Sequence, residues 1–135
     1  MNQAAPFITF QPSRGQRAAE AIEAYLNVFK DGRVISDSRY GSEGPGAEGT
    51  VIMAEIEIAG QRLRCSDSFI EHEWNITPAV SIMVDCDSSE ELQRIYAALG
   101  EDWTVYMPLD DYGFGPFGWV GDRFGVTWQL GLAAA

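Results

Sequence analysis

Side chains that bind metals or activate nucleophiles are scarce in this chain. Its 135 residues include one histidine, His72, and two cysteines, Cys65 and Cys86. They form no CxxC pair and no cysteine–histidine spacing of the zinc type. A single histidine leaves little room for a Ser-His-Asp or Cys-His arrangement, and no GxSxG elbow or Walker motif occurs. Basic residues are also few, nine Lys and Arg against twenty Asp and Glu, for a net charge of −11. That field repels nucleic acid and anionic membranes, so neither is an expected partner. The acidic residues are dispersed, which suits a solvated surface or, alternatively, the steering of a cationic ligand. No apolar run approaches the roughly 18–20 residues of a membrane-spanning helix. The first six residues carry neither a basic segment nor an apolar signal core. A reduced cytoplasmic protein is therefore expected; the alternative for the thiols is a Cys65–Cys86 disulfide.

What is present is ordinary globular material with clear periodicity. Hydrophobic residues make up 46% of the chain and charged residues 21%, at a length that suits one domain with a real core. Residues 7–10, FITF, form a β-prone run ended by Pro12 and Gly15. Ala18, Ile22, Tyr25, Leu26 and Phe29 recur at helical spacing, and Asp31-Gly32 supplies a stop. A strand is predicted over residues 33–40, then a glycine-rich loop to Gly49. Residues 51–59 read as the clearest strand, with Ile52, Ala54, Ile56 and Ile58 on one face and Glu55 and Glu57 on the other. Gly60-Gln61 turns this strand into a hairpin.

After a polar connection over residues 67–76 the order repeats. A strand is predicted over 79–85, and Ser88 with Glu91 forms a capping box for a helix carrying Leu92, Ile95, Tyr96 and Leu99. Short strands follow near 103–107, 117–120 and 126–130. Strand–helix–strands thus occurs twice, offset by about 70 residues, as a repeat of order and not of identity. The expected fold class is α+β: two βαβββ modules, over approximately 5–68 and 77–132, within a single domain of residues 1–135, forming a curved mixed sheet around a cleft. The competing arrangement is an α+β sandwich with both helices on one face.

Three C-terminal segments carry a resemblance: Val84-Asp85-Cys86-Asp87, residues 107–115 (MPLDDYGFG) and residues 117–130 (FGWVGDRFGVTWQL). They resemble the PhnB-like proteins of the glyoxalase/bleomycin-resistance/dioxygenase (vicinal oxygen chelate) superfamily, some of which are labelled 3-demethylubiquinone-9 3-methyltransferase domains. The helix over 21–29, the segment Arg39-Tyr40-Gly41 and the strand before Gly60-Gln61-Arg62 resemble the family's opening module. The stretch Gln11-Pro12-Ser13-Arg14 departs from it. The resemblance implies paired βαβββ modules and a homodimer. It also locates the superfamily's metal ligands near Ala5 or Pro6, at Ala79 and at Gln129. Neither alanine nor proline has a donor side chain, and one neutral amide is a poor anchor for a divalent ion. No metal and no cofactor are expected.

The run Gly113-Phe114-Gly115-Pro116-Phe117-Gly118 formally matches GxGxxG, but Pro116, Phe117 and Trp119 suit a loop entering a strand, not a helix that would cradle a nucleotide. Aromatic residues crowd the last 33 positions. Gln129, Tyr112, Phe114, Phe117 and Trp119 are the candidate ligand-binding residues, although such rings also fill cores and dimer interfaces. Trp128 is expected to be buried, and the loop from Tyr112 to Phe117 to lie at a cleft mouth. Asp110 and Asp111 are expected on a loop, solvated or facing a basic ligand group. His72 is expected to be exposed in its loop or to attract a surface cation between Glu71 and Glu73. Catalytic residues remain unassigned. The expectation is a metal-free protein that binds a small apolar or aromatic molecule. The alternatives are a metal-dependent lyase, isomerase or dioxygenase, a methyltransferase, or an interaction module whose cleft its own side chains fill.

Overall fold

The structure, a computed structural model, describes residues 2–134. The chain divides into two compact units after Ile76. The first contains β1 (Phe7–Phe10), a 3-10 turn (Pro12–Arg14), α1 (Ala18–Val28), β2 (Arg33–Arg39), β3 (Val51–Ile58) and β4 (Gln61–Asp67). The second contains β5 (Ser81–Cys86), α2 (Ser89–Leu99), β6 (Thr104–Asp111), β7 (Pro116–Gly121) and β8 (Thr127–Leu132). Each unit is a βαβββ module with its own four-stranded mixed sheet. The strand orders correspond, β1-β4-β3-β2 and β5-β8-β7-β6. In both, the first strand runs parallel to the last and the remaining pairs are antiparallel.

One face of each sheet is covered by its helix. Ala18, Ala21, Ile22, Tyr25 and Val28 of α1 are buried, and so are Phe10, Ala54, Ile56, Ile58, Leu63 and Cys65 of the sheet. The helix stops at Val28, ahead of the Asp31-Gly32 signal. Phe29 is extended there, with its N–H still bonded to the Tyr25 carbonyl at 2.8 Å and its ring in the core. In the second module Leu92, Ile95, Tyr96 and Leu99 of α2 are buried with Val84, Cys86, Val120, Trp128 and Leu130. Gly118 belongs to this covered face. A Cβ there would meet the Tyr96 ring at 2.9 Å, so only glycine lets the helix approach so closely. Ser88 caps α2 by accepting from the Glu91 N–H at 3.1 Å, and the Glu91 carboxylate reaches back to the Asp87 N–H at 3.2 Å.

Strict alternation fails in β3. Ile52 is 41% exposed and Val51 is buried, because the pairing passes from Ser38↔Met53 directly to Arg39↔Val51. The bulge at Ile52 inserts one residue and shifts the alternation at the start of the strand only, while Ala54, Ile56 and Ile58 keep the expected face. The β3–β4 hairpin closes through Ala59 and Gly60, both at positive φ (49° and 78°), as a two-residue turn matched to strand twist requires.

Asp67, expected in the polar connection, instead ends β4 and is 4% exposed. Its carboxylate accepts from the Ala18 N–H at the start of α1 and from the Val51 N–H at the start of β3, both at 2.8 Å. The connection itself is pinned by Gln11, which is fully buried. The Gln11 amide donates to the Trp74 carbonyl and accepts from the His72 N–H, each at 2.8 Å. Both thiols are free and buried, which leaves the disulfide alternative without support. No helix among the described residues is long and apolar enough to cross a membrane.

Candidate functional site

The uncovered face of the second sheet gathers the candidate residues. Phe117 and Trp119 alternate with the helix-facing Gly118 and Val120 along β7, so both point away from α2. Gln129 of β8 is the register partner of Trp119. On its other side β5 contributes Met83, opposite Gln129 and 62% exposed, and Ser81. The Gln129 Nε2 donates to Ser81 Oγ at 2.8 Å, leaving its Oε1 without a partner among the described residues. Tyr106 lies beside Trp119, ring centroids 5.1 Å apart.

Tyr112 and Phe114 extend this face. Their rings meet Phe117 edge-on, at 6.1 and 5.7 Å between centroids. Phe117 is buried beneath them, while Phe114 is 72% exposed. All five candidates, Gln129, Tyr112, Phe114, Phe117 and Trp119, therefore belong to one contiguous surface. Asp110 and Asp111 are not loop residues; they end β6, and Asp111 pairs with Pro116. The Asp111 Oδ1 accepts from the Gly113 and Gly115 N–H groups at 2.8 and 3.2 Å, which shapes the turn that presents Phe114.

The two tryptophans of this sheet are treated differently. Trp128 is fully buried on the helix side, and its indole N–H donates to the buried Asp122 at 3.0 Å. Asp122 also accepts from the Phe124 and Val126 N–H groups at 2.9 and 3.1 Å, holding the β7–β8 turn. The indole N–H of Trp119 is buried with no acceptor. A buried donor without a partner costs about 1–3 kcal/mol. Ser81 and Met83, which this face sets beside the expected Gln129 and Trp119, were not singled out from the sequence. Ser81 was hidden because the strand was expected to start at Ala79, which instead lies in an exposed turn ahead of β5.

His72 is neither exposed nor solitary. Its ring stacks on Trp74 at 4.3 Å between centroids, and Nε2 lies 2.9 Å from Ser68 Oγ. Burial pushes the Cys65 thiol up to about 12, helped by Asp67 and Asp37, and the Cys86 thiol up to about 11, helped by Glu91. Neither is poised as a nucleophile.

The sequence profile described as 3-demethylubiquinone-9 3-methyltransferase matches residues 2–131. The chain belongs to this PhnB-like family. A PhnB protein from Bacillus cereus is 39% identical over 98% of this chain and 100% of its own, with a TM-score of 0.90. A glyoxylase/bleomycin resistance protein/dioxygenase domain from Frankia is 12% identical over 99% and 98% of the two chains, TM-score 0.65. A FosX fosfomycin resistance protein from Listeria monocytogenes, solved with Mn(II), is 16% identical over 99% and 95%, TM-score 0.60. These likenesses show the glyoxalase/bleomycin-resistance fold. No curated protein matches the chain.

Neither group associated with the family name or the fold fits the residues present. For a divalent ion, Ala5, Pro6 and Ala79 offer no donor, and the one neutral amide oxygen of Gln129 is a poor anchor by itself. No group of three or more His, Cys, Asp or Glu suited to a metal occurs among the described residues. For a nucleotide-like methyl donor, the glycines from 113 to 118 run into β7 and not into a helix N-terminus.

Proposed function

We propose that this PhnB-like protein is a metal-free binder of a small, flat, partly apolar molecule, held against the open face of the second sheet. Support comes from the contiguity of Phe114, Tyr112, Phe117 and Trp119 with the unspent Gln129 Oε1. Rings stack on a planar ligand, while an indole N–H and an amide carbonyl fix its orientation. The Tyr106 ring, 41% exposed, lies beside the Trp119 indole and adds a further aromatic surface.

The surface of the second module is more apolar than a lone module needs. Val80, Met83, Trp103 and Phe114 are each more than 60% exposed. A homodimer that covers part of this apolar surface accompanies the proposal, in a reducing cytoplasm where both thiols stay free. Light scattering should give a species near twice 14.9 kDa, and a 14.9 kDa species at micromolar concentration would overturn the dimer.

The binding test is a titration with planar aromatic compounds, read by tryptophan fluorescence and calorimetry. Saturable binding that weakens about tenfold in Phe114→Ala or Gln129→Ala is expected. Binding unaffected by either change, or none by any compound, would sink the proposal and favour a face filled by its own side chains. A stoichiometric metal in protein purified without chelator would overturn its metal-free part.

A further inference from the structure

The uncovered face of the first sheet has the opposite chemistry. Glu55 and Glu57 of β3 and Arg62 and Arg64 of β4 point away from α1, and Arg33 of β2 adds to them. Their charged groups form ion pairs longer than hydrogen bonds. Arg33–Glu57 is 3.5 Å, Arg62–Glu57 3.7 Å, Arg62–Glu55 3.9 Å and Arg64–Glu55 3.6 Å. None of these guanidinium groups makes a hydrogen bond among the described residues. Arg39 shows the contrast, with paired bonds of 2.9 and 3.1 Å to Asp37. One carboxylate oxygen of Glu55 is likewise buried without a hydrogen bond.

These unspent donors border an open pocket of about 300 Å³, lined by Gln3, Ala5, Glu55, Gln61, Arg62 and Arg64 among others. Depth decides which charge a ligand meets. The Arg62 and Arg64 side chains are 43% and 38% exposed, whereas Glu55 beneath them is 14% exposed. At the pocket two of the chain's nine basic residues balance two carboxylates in a protein of net charge −11, and Arg33 on the same face, outside the lining, adds a third guanidinium. Positions two apart on a strand stand about 7 Å from each other. That spacing lets two guanidinium groups bracket one anionic oxygen group, each donating to it.

We infer that the pocket between the β3–β4 hairpin and residues 3–5 is a second binding site, for the carboxylate or phosphate group of a small molecule. Arg62 and Arg64 grip the anion, and Glu55 and Glu57 hold the two guanidinium groups in place from below. The site is independent of the aromatic face of the second module. A planar carboxylate engages the two forks edge-on; a phosphate can bridge both with separate oxygens.

The test is a titration of ¹⁵N-labelled full-length protein at low salt with benzoate, with inorganic phosphate and with neutral benzamide. Saturable shifts are expected at the Arg62 and Arg64 Nε–H signals and the Gly60 and Gln61 amides, with either anion and not with benzamide. Whichever anion saturates at the lower concentration identifies the source of the group. Arg62→Gln and Arg64→Gln should each weaken binding about tenfold or more. Lys30→Gln makes the same change in net charge on an exposed residue elsewhere and should leave the titration unchanged. Equal response to benzamide, no saturable shift with either anion, or equal weakening by Lys30→Gln would overturn the inference. A folded Arg62→Lys variant with unimpaired binding would also overturn it, since a lysine lacks the fork.

Discussion

Replacing Asp67 with alanine should cost the first module about 4 kcal/mol. The carboxylate is 4% exposed and spends one oxygen on the Ala18 N–H and the other on the Val51 N–H, both at 2.8 Å. Alanine would strand two buried amide donors, each worth about 1–3 kcal/mol. It would also remove the anion at the start of α1, a further 0.3–1 kcal/mol or so. Relief from burying the carboxylate offsets part of this, which leaves about 4 kcal/mol out of a typical total of about 5–15 kcal/mol. The Asp67→Asn change keeps one acceptor and turns a donor toward the second N–H, so it should cost about half as much. Urea unfolding followed by far-ultraviolet circular dichroism measures the loss. Amide hydrogen exchange adds a local readout: Ala18 and Val51 should lose protection before the amides of α2. Asp67→Ala within about 1 kcal/mol of the parent, or exchange raised equally in both modules, would refute this role for the buried carboxylate.

Other perturbations test other parts of the fold. Gln11→Ala removes two hydrogen bonds that pin the connection and should cost about 2–3 kcal/mol, with exchange rising first at the His72 amide. Ala59→Asn suits a residue at φ 49° and should stabilise the hairpin by about 0.5–1 kcal/mol, seen as a Tm rise of about 2–4 °C. The Cys65 thiol, pushed up to about 12, keeps its proton in the folded state at a pH where the unfolded thiol has lost it. Its contribution is complete below about pH 8.5 and is lost as pH climbs toward 12, at about 1 kcal/mol per pH unit. Cys65→Ser should flatten the alkaline fall in urea midpoint relative to the parent, and an unchanged slope would contradict that.

The elements legible in the sequence were those whose pattern reports burial directly. The α1 stripe of Ala18, Ile22 and Tyr25 and the Ser88 cap of α2 needed no tertiary information. The repeated strand order also followed from patterns within the chain, whereas Gln129 was singled out by the resemblance and Phe117 and Trp119 by the crowding of aromatics near the C-terminus. What escaped depended on register. A bulge at Ile52 turns Val51 inward and Ile52 outward at the start of β3 without any signal in a run of apolar residues. The start of β5 two residues beyond Ala79 decided that Ser81 would meet Gln129. Asp67 and Gln11 looked like loop polarity, because their partners are backbone groups elsewhere in the module. The Arg–Glu face was present as simple alternation in β3 and β4, yet its meaning needed the depth of each side chain.

The two modules show how one topology can carry unlike chemistry. In each, the face toward the helix is fixed by packing: Ala54, Ile56, Leu63 and Cys65 in one, Gly118, Val120, Trp128 and Leu130 in the other. Changing any of these strains a close contact or leaves a cavity, with costs of about 1–5 kcal/mol. The alternate positions on the same strands face no helix, so packing against the helix does not fix them, although Phe117 is itself buried under Tyr112 and Phe114. That freedom appears strand by strand, as Glu55 and Glu57 on β3 against Phe117 and Trp119 on β7, and as Arg62 and Arg64 on β4 against Gln129 on β8. A module repeated in order but not in identity thus keeps its helix-facing packing while its open face changes character, charged on one sheet and aromatic on the other.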